Sequence, residues 1–334
     1  MSKIEILTKG KSFCDKAVTS NYLNIVFNSV KKIENSLPQK KIYIIDECKL
    51  AFKYSFSKKN NVILWIQGVV PEEAILQGYS KFRFYIHSAI EYIVLRRAKF
   101  ILFCSDEMKR HYEIKYKLKF DNSFIMPCFN ENQIDQRAFE SKYKYDNNTF
   151  TYIGSLHTWQ CFDFTLKVYC EIEKLNNFNT KLIVCTEDTE KAKESVLKHG
   201  IKNYEILFAN SEKLGEILNH VKYGFVLRED NIVNYVATPT KLSNYLSHGV
   251  IPIYSASLKS FDQENRNSNG FGVVCNTSNF EKGISNIQKS IEQEISCDDV
   301  KKWCKKIFSC YYNKNYYENA LSQKIFEKLV NRAK

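Results

Sequence analysis

Short apolar runs that end in polar residues alternate with segments of helical period along most of this 334-residue chain. This pattern, more than any single motif, limits what the chain can fold into. Residues 41–46, 62–67 and 100–104 are runs of strand length, rich in Ile, Val, Leu and Phe. Strands of a parallel sheet read this way because both faces are covered. Other segments have a different period. Leu23, Val26, Phe27, Val30 and Ile33 recur at helical spacing, and residues 82–97 predict a long amphipathic helix. Ser105 is placed to cap the next helix, with Met108 and Tyr112 on one face. Ile4–Leu7 and residues 123–126 predict two more strands. Strands that alternate with helices imply a parallel sheet with helices on its faces.

The segment 131–148 is polar and breaks the alternation, which then restarts. Strands are predicted at 150–153, Lys181–Cys185, 205–208, 223–228, 250–254 and 272–275. Helices are predicted at 159–174, at 214–221 and from Pro239, with a helical tail from about Asp298. The fold class expected is therefore α/β, as two doubly wound, Rossmann-like domains facing a cleft. Their expected boundaries are 1–130 for the first, 131–148 for a linker, 149–297 for the second and 298–334 for the tail. Length supports the division, since domains commonly hold about 150 residues. In such folds ligands bind at the carboxyl ends of the strands, so functional residues are sought just after strands.

Composition excludes several classes. With 44% apolar and 26% charged residues the chain is neither disordered nor of low complexity. No apolar run approaches the ~18–20 residues of a membrane span. The start, Met-Ser-Lys-Ile-Glu-Ile-Leu, lacks the apolar core of a signal peptide, so a cytoplasmic chain is expected. Eleven cysteines include no Cys-x-x-Cys pair, and the six histidines are scattered. The cysteines read as small buried hydrophobes, and no metal site is expected. The net charge of +12 is uneven: residues 1–150 hold 25 Lys and Arg against 16 Asp and Glu, a net of +9. An anionic partner for the first half follows, either a membrane surface, a phosphorylated acceptor or nucleic acid; a basic, solvated surface accounts for the same numbers.

The richest motif runs from Val233 to Ile253 and contains Thr238-Pro-Thr-Lys-Leu-Ser-Asn244. Thr238 can cap a helix, Pro239 suits its first position, and Gly249 can end it. The start of such a helix attracts anions through its free N–H groups. Thr240 adds a hydroxyl and Lys241 a charge, and Asn244 lies on the same face. A diphosphate carrying a sugar or ribose fits that face.

The stretch 225–253 resembles the donor-binding segment of bacterial GT-B glycosyltransferases of the family-4 type. Tyr152-Ile-Gly-Ser-Leu-His-Thr-Trp-Gln160 is similar to the glycine loop that opens their donor domain. Trp65-Ile-Gln-Gly-Val-Val-Pro-Glu-Glu73 and Ile125-Met-Pro-Cys-Phe-Asn130 are similar to acceptor-domain segments. The four occur in the family's order, and the resemblance covers about residues 60–275. It implies transfer of a sugar from a nucleotide-diphosphate donor, usually with retention, to a glycan acceptor. A lipid-linked acceptor in surface polysaccharide synthesis, such as O-antigen or capsule, is the expected setting, at the inner face of the membrane. The donor is a substrate, and no cofactor or metal is implied.

On the donor side the resemblance marks Gly154 and Ser155, with His157 beside them. A glycine there lets backbone approach phosphate. Arg228 can pair with the diphosphate, or with Glu229 or Asp230 beside it. Two departures stand out. The family carries two glutamates separated by seven residues around this helix; here the second position is Asn244, and the position eight earlier is Val236. The usual basic pair is missing too, since residues 154–166 contain no Lys or Arg. Arg228 and Lys241 are left as the cations for the phosphates. A non-catalytic relative, or another GT-B-fold sugar-nucleotide enzyme, is the alternative reading. On the acceptor side Gln67 ends a strand, and Glu72 and Glu73 follow Pro71. Such carboxylates can orient or deprotonate a hydroxyl, or simply favour a helix start. Residues 96–119 hold eight basic residues against three acidic, interleaved with Tyr112, Tyr116 and Phe120. This pattern suits anionic lipid, and a solvated helix face accounts for it equally. No nucleic-acid motif accompanies it, so nucleic acid is not the expected partner.

Overall fold

A computed structural model describes residues 4–7, 17–36 and 41–329. Cys14 lies outside the described residues. Two compact units divide the chain. The first takes the described residues of Met1–Asn130, together with Val236–Thr238 and the C-terminal segment from Asn313; the second takes Glu131–Tyr235 and Pro239–Tyr312.

In the first unit the order is β1 (Ile4–Leu7), α1 (Ala17–Lys32), β2 (Lys41–Ile45), α2 (Cys48–Ser55), β3 (Asn60–Ile66), α3 (Val70–Leu76), α4 (Lys81–Arg97), β4 (Phe100–Phe103), α5 (Asp106–Tyr116) and β5 (Ser123–Ile125). The five strands form one sheet in the order β1-β2-β3-β4-β5, with every ladder parallel. Residues 62–66 and all of β4 are buried, as apolar runs of that kind predict. Ser105 caps α5 as expected: its hydroxyl accepts the Met108 N–H at 3.1 Å. Helix α4 departs from expectation. Its one carboxylate, Glu91, is buried, while Phe82, Tyr85 and Ile86 are exposed.

The second unit continues with β6 (Thr149–Ile153), α6 (Phe162–Leu175), β7 (Lys181–Cys185), α7 (Thr189–Lys198), β8 (Tyr204–Leu207), α8 (Ser211–Leu218), β9 (Tyr223–Val226), α9 (Ile232–Tyr235), α10 (Lys241–Ser247), β10 (Ile251–Tyr254), α11 (Lys259–Asn267), β11 (Val273–Val274), α12 (Phe280–Glu292) and α13 (Cys297–Cys310). Its six strands are ordered β11-β10-β9-β6-β7-β8, again all parallel. The order reverses between β6 and β9. In the first sheet, among the described residues, it does not reverse. Phe150 of β6 stacks on Tyr223 and Phe225 of β9, with ring centres 5.1 and 5.7 Å apart, so the seam at the reversal is packed tightly.

Two segments lie elsewhere than their polarity suggests. Residues 131–148 carry two short 3-10 turns and pack as part of the second unit. Ala138, Phe139 and Tyr145 are buried, and the Tyr145 hydroxyl donates to the Gly249 carbonyl at 2.7 Å. Lys144 is buried with them and donates to the carbonyls of Leu218 and His248; burial pushes its amine down to about 7. The tail divides: α13 stays with the second unit, while α14 (Lys314–Leu329) returns to the first, where Lys32 pairs with Glu318 at 3.3 Å.

Candidate functional site

Parallel sheets bind ligands outside the carboxyl ends of the strands where the order reverses. In the second unit those ends belong to β6 and β9. Strand β6 finishes at Ile153, and Gly154 follows with φ +122°, a conformation that side chains resist. Strand β9 runs through Leu227 into Arg228, which is buried. The first turn of α10 brings Lys241, also buried, to the same place.

These residues converge on Gln160. Arg228 donates to the Gln160 side-chain oxygen at 2.6 Å, and Lys241 donates to that same oxygen at 2.8 Å. Lys241 also donates to the Ile153 carbonyl at 2.6 Å. A Cβ on Gly154 would stand 3.2 Å from the Lys241 ammonium. Two buried cations therefore share one neutral acceptor. Among the described residues neither forms an ion pair with a carboxylate, so the pairing of Arg228 with Glu229 or Asp230 is not made. Burial, and then repulsion from Arg228, hold the Lys241 pKa well below its ordinary value of 10.5. Burial also lowers the pKa of Arg228. Unpaired charges buried this way are costly, and an anion at this point relieves both.

Space adjoins the pair. Arg228 lines a hollow of about 120 Å³ with Asp230, Ser257, Lys259 and Thr277. Thr277 also lines a larger cavity of about 620 Å³ with His157, Asp163, Lys191 and Glu229. His157 stacks on Trp159, ring centres 4.6 Å apart and 18° from parallel. The Ser155 carbonyl is fixed by the Tyr152 hydroxyl, which donates to it at 2.6 Å.

Helix α10 begins later than its sequence suggests. Thr238, read as the cap, instead accepts the Cys128 N–H at 3.0 Å. Thr240 occupies the cap position in helical conformation, φ −62° and ψ −25°, with no side-chain cap bond. Its carbonyl accepts the Ser243 hydroxyl at 2.8 Å. Gly249 ends the helix at φ +63°, as expected. Asn244 sits one turn after Lys241, and its Oδ1 is buried with no hydrogen-bond partner among the described residues. An acceptor in that state awaits a donor, and a hydroxyl of a bound ligand is one. We therefore expect Asn244→Leu, which removes the orphaned acceptor at similar shape, to keep or raise the melting temperature of the free protein. The same variant should weaken nucleoside diphosphate binding about three- to tenfold, the worth of one neutral hydrogen bond. Equal affinity by calorimetry would remove Asn244 from the site.

The acceptor-side residues lie in the first unit, at the carboxyl end of β3. Gln67 Nε2 is buried with no hydrogen-bond partner among the described residues. Glu73 folds back to accept the Val69 N–H at 3.1 Å, which is the helix-start role. Glu72 is held by His111 at 3.0 Å and by Lys115 at 2.8 Å. Burial raises the Glu72 pKa, but these two partners outweigh it and the net shift is downward. A carboxylate so held is a weak base and suits orienting a hydroxyl better than deprotonating it. Lys115 also pairs with Glu91 at 3.2 Å, and Tyr112 and Tyr116 donate to Glu91 at 3.0 and 2.6 Å. Lys115 is therefore part of an internal network and not of a basic surface.

Among the residues that sequence reasoning singled out, the structure gathers Gly154, Arg228 and Lys241 at one point. Ser155 follows Gly154 directly, and His157 lines the neighbouring cavity. Thr240 and Asn244 flank Lys241 on α10. Gln160, the shared acceptor, went unnoticed, as did Trp159 and Thr277. Among the described residues no group of three or more His, Cys, Asp or Glu is placed to hold a metal ion, and no helix is long and apolar enough to cross a membrane.

Two all-parallel α/β sheets, one reversing its order beside a buried cation pair, give this chain the GT-B type of fold. Solved structures that share it include glycosyltransferases. One is Staphylococcus aureus TarM, in a complex that includes UDP, with a TM-score of 0.62 and 11% identity; the match covers 89% of this chain and 58% of TarM. Another is a UDP-forming α,α-trehalose-phosphate synthase from Burkholderia vietnamiensis, with a TM-score of 0.67 and 7% identity over 95% of this chain and 77% of that one. A third is the lipopolysaccharide outer core galactosyltransferase WaaB, with a TM-score of 0.57 and 13% identity over 92% and 83% of the two chains. The chain thus spans under three fifths of TarM's length. No protein-family model matches the sequence, and no curated protein matches it.

Proposed function

We propose that this protein is a glycosyltransferase that moves a sugar from a nucleotide-diphosphate donor to a glycan acceptor. The observation that carries this reading is the buried pair Arg228 and Lys241, which share Gln160 at the strand-order reversal and, among the described residues, have no carboxylate partner. A diphosphate supplies the missing charge. Neutralisation of the leaving nucleotide is assigned to these two cations and not to a metal. Asn244 offers its free Oδ1 to a sugar or ribose hydroxyl, Thr240 a hydroxyl beside it, and Gly154 and Ser155 a close backbone approach. On the acceptor side Glu72 and Gln67 have open polar atoms for an incoming hydroxyl, with Glu73 holding the start of α3.

The finer reading is a retaining transfer to a lipid-linked glycan in bacterial surface polysaccharide synthesis, O-antigen or capsule, by a cytoplasmic protein at the membrane surface. Its support is the net of +9 in residues 1–150 and the likeness in fold to WaaB and TarM.

Nucleotide release measured across a panel of donor sugars, with lipid-linked and soluble glycans as acceptors, tests the proposal. Acceptor-dependent release from one donor is the expected result, and the anomeric signal of the product decides retention. One observation favours a second reading. Asn244 and Val236 stand where related enzymes carry glutamates, so a non-catalytic binder of sugar nucleotides fits as well. Donor binding by thermal shift with no release for any donor would establish that reading.

A further inference from the structure

The basic block at residues 96–119 does not act as one surface. Lys115 turns inward onto Glu72 and Glu91. Arg96, Arg97, Lys99 and Lys119 instead line a cavity of about 590 Å³ in the first unit, and Lys328 of α14 lines it with them. Asp121 is the only acid among the lining residues. The cavity lies at the amino ends of the strands. Asn61 stands at the start of β3, Lys99 directly precedes β4, and residues 118–122 lead into β5. Gln67 and Glu72 follow the other end of β3, about 20 Å away at the rise of an extended strand. The cavity is therefore separate from the acceptor-side residues.

Among the described residues none of the five cations forms an ion pair. Arg96 donates to the Tyr92 hydroxyl and Arg97 to the Ser55 carbonyl, each at 3.1 Å. One bond orients each guanidinium and leaves most of its five donors to spare. The carbonyls of Ala98 and Lys99 are served by a neutral group, since the Asn122 amide donates to both at 3.1 Å. The arginines at the end of α4 and Lys328 at the end of α14 suit the negative ends of those helices. Lys99 and Lys119 lie outside any helix, so helix ends do not account for the cluster.

We propose that this cavity is a second anion site, which binds a soluble ligand carrying several phosphate groups. Five like charges around one space repel each other until an anion enters. The arginine forks match phosphate oxygens, and the lysines add point charges. The volume is that of a small-molecule site and far more than one phosphate fills. A ligand there joins the end of α4, the segment before β5 and the end of α14, so it fastens α14 to the rest of the first unit. The site does not depend on the donor reading, because Arg228 and Lys241 belong to the second unit.

Tripolyphosphate is the probe, titrated by calorimetry into the full chain carrying Lys241→Met, which takes the donor site out of the measurement. It should bind, raise the melting temperature and weaken as salt rises. Orthophosphate, which meets fewer of the cations, should bind about tenfold more weakly or worse. Adding Lys99→Gln, Lys119→Gln and Lys328→Gln should cut tripolyphosphate affinity about tenfold or more. Circular dichroism should not change, and the free protein should melt no lower, because like charges have been removed. In the wild-type chain, saturating tripolyphosphate should shield Lys99, Lys119 and Lys328 from an amine-reactive label. No binding, equal affinity for orthophosphate, undiminished affinity in the triple-lysine variant, or labelling of the three lysines that tripolyphosphate leaves unchanged would each overturn the proposal. So would pelleting with phosphatidylglycerol vesicles that needs the same three lysines and that tripolyphosphate does not reverse, since the cations would then belong to a lipid surface.

Discussion

Lys241→Met should lower affinity for a nucleoside diphosphate at least about tenfold and abolish a proton uptake that accompanies binding in the wild type. The first part follows from losing a charge-assisted hydrogen bond to phosphate, worth roughly 1.5–3 kcal/mol. The second follows from the site's electrostatics. In the free protein, burial and the nearby Arg228 hold the Lys241 pKa well below 10.5. A bound diphosphate restores the charged form, so binding at a pH above the depressed value takes up a proton. Affinity should therefore fall as pH rises. The sign for stability is opposite. Between the depressed pKa and 10.5 the unfolded chain holds more protons than the folded one, so this group's contribution to stability rises with pH. Calorimetry in buffers of different ionisation enthalpy reads the uptake directly. A Lys241→Met variant that binds the nucleoside diphosphate as tightly as the wild type would remove Lys241 from the donor site, whereas a binding enthalpy independent of buffer would show that Lys241 is already charged in the free protein.

Strands of both sheets were legible because buried parallel strands write themselves as apolar runs. The runs at 62–67 and 100–104 correspond to β3 and β4, and that at Lys181–Cys185 to β7. Arg228 and Lys241 were legible for a related reason: each follows a strand or opens a helix, where ligands bind. Gln160 was not. It lies 68 positions from Arg228 and 81 from Lys241, and a neutral side chain in a polar loop carries no sign that two cations will converge on it. The direction of α4 was hidden for a different reason. Its apolar residues recur at helical spacing on more than one face, so periodicity reveals a helix without telling which face turns inward. Only the position of Glu91 against Tyr112 and Tyr116 settles that. Residues 131–148 misled because polarity was read as exposure. Lys144 and Tyr145 bury long side chains while their polar ends find carbonyls.

Gly224→Ala should destabilise the protein by about 1–3 kcal/mol, although alanine is ordinarily the better residue within a strand. Gly224 lies in β9, and a Cβ there would stand 2.5 to 2.8 Å from three ring atoms of Tyr245. That ring is completely buried, and its hydroxyl donates to the Phe225 carbonyl at 3.3 Å, so it cannot swing away into solvent. Two effects oppose each other. Replacing glycine by alanine restricts the unfolded chain and gains about 0.4–1 kcal/mol where the backbone permits it. Overpacking a fixed ring costs more, so destabilisation wins. The strain also reaches the site, because Tyr245 lies four residues after Lys241 on one face of α10. Displacing the ring displaces the helix that carries the cation. Nucleoside diphosphate affinity should therefore fall together with stability, even though Gly224 is not a donor-site residue. Tyr245→Leu supplies the control. In the wild-type background it leaves a cavity and destabilises; beside Gly224→Ala it relieves the clash, so the double variant should be more stable than the two single effects summed, by about 0.5–3 kcal/mol. Simple additivity in a denaturation cycle, or a Gly224→Ala variant as stable as the wild type, would show that the ring does not press on this strand and that α10 is positioned by other contacts.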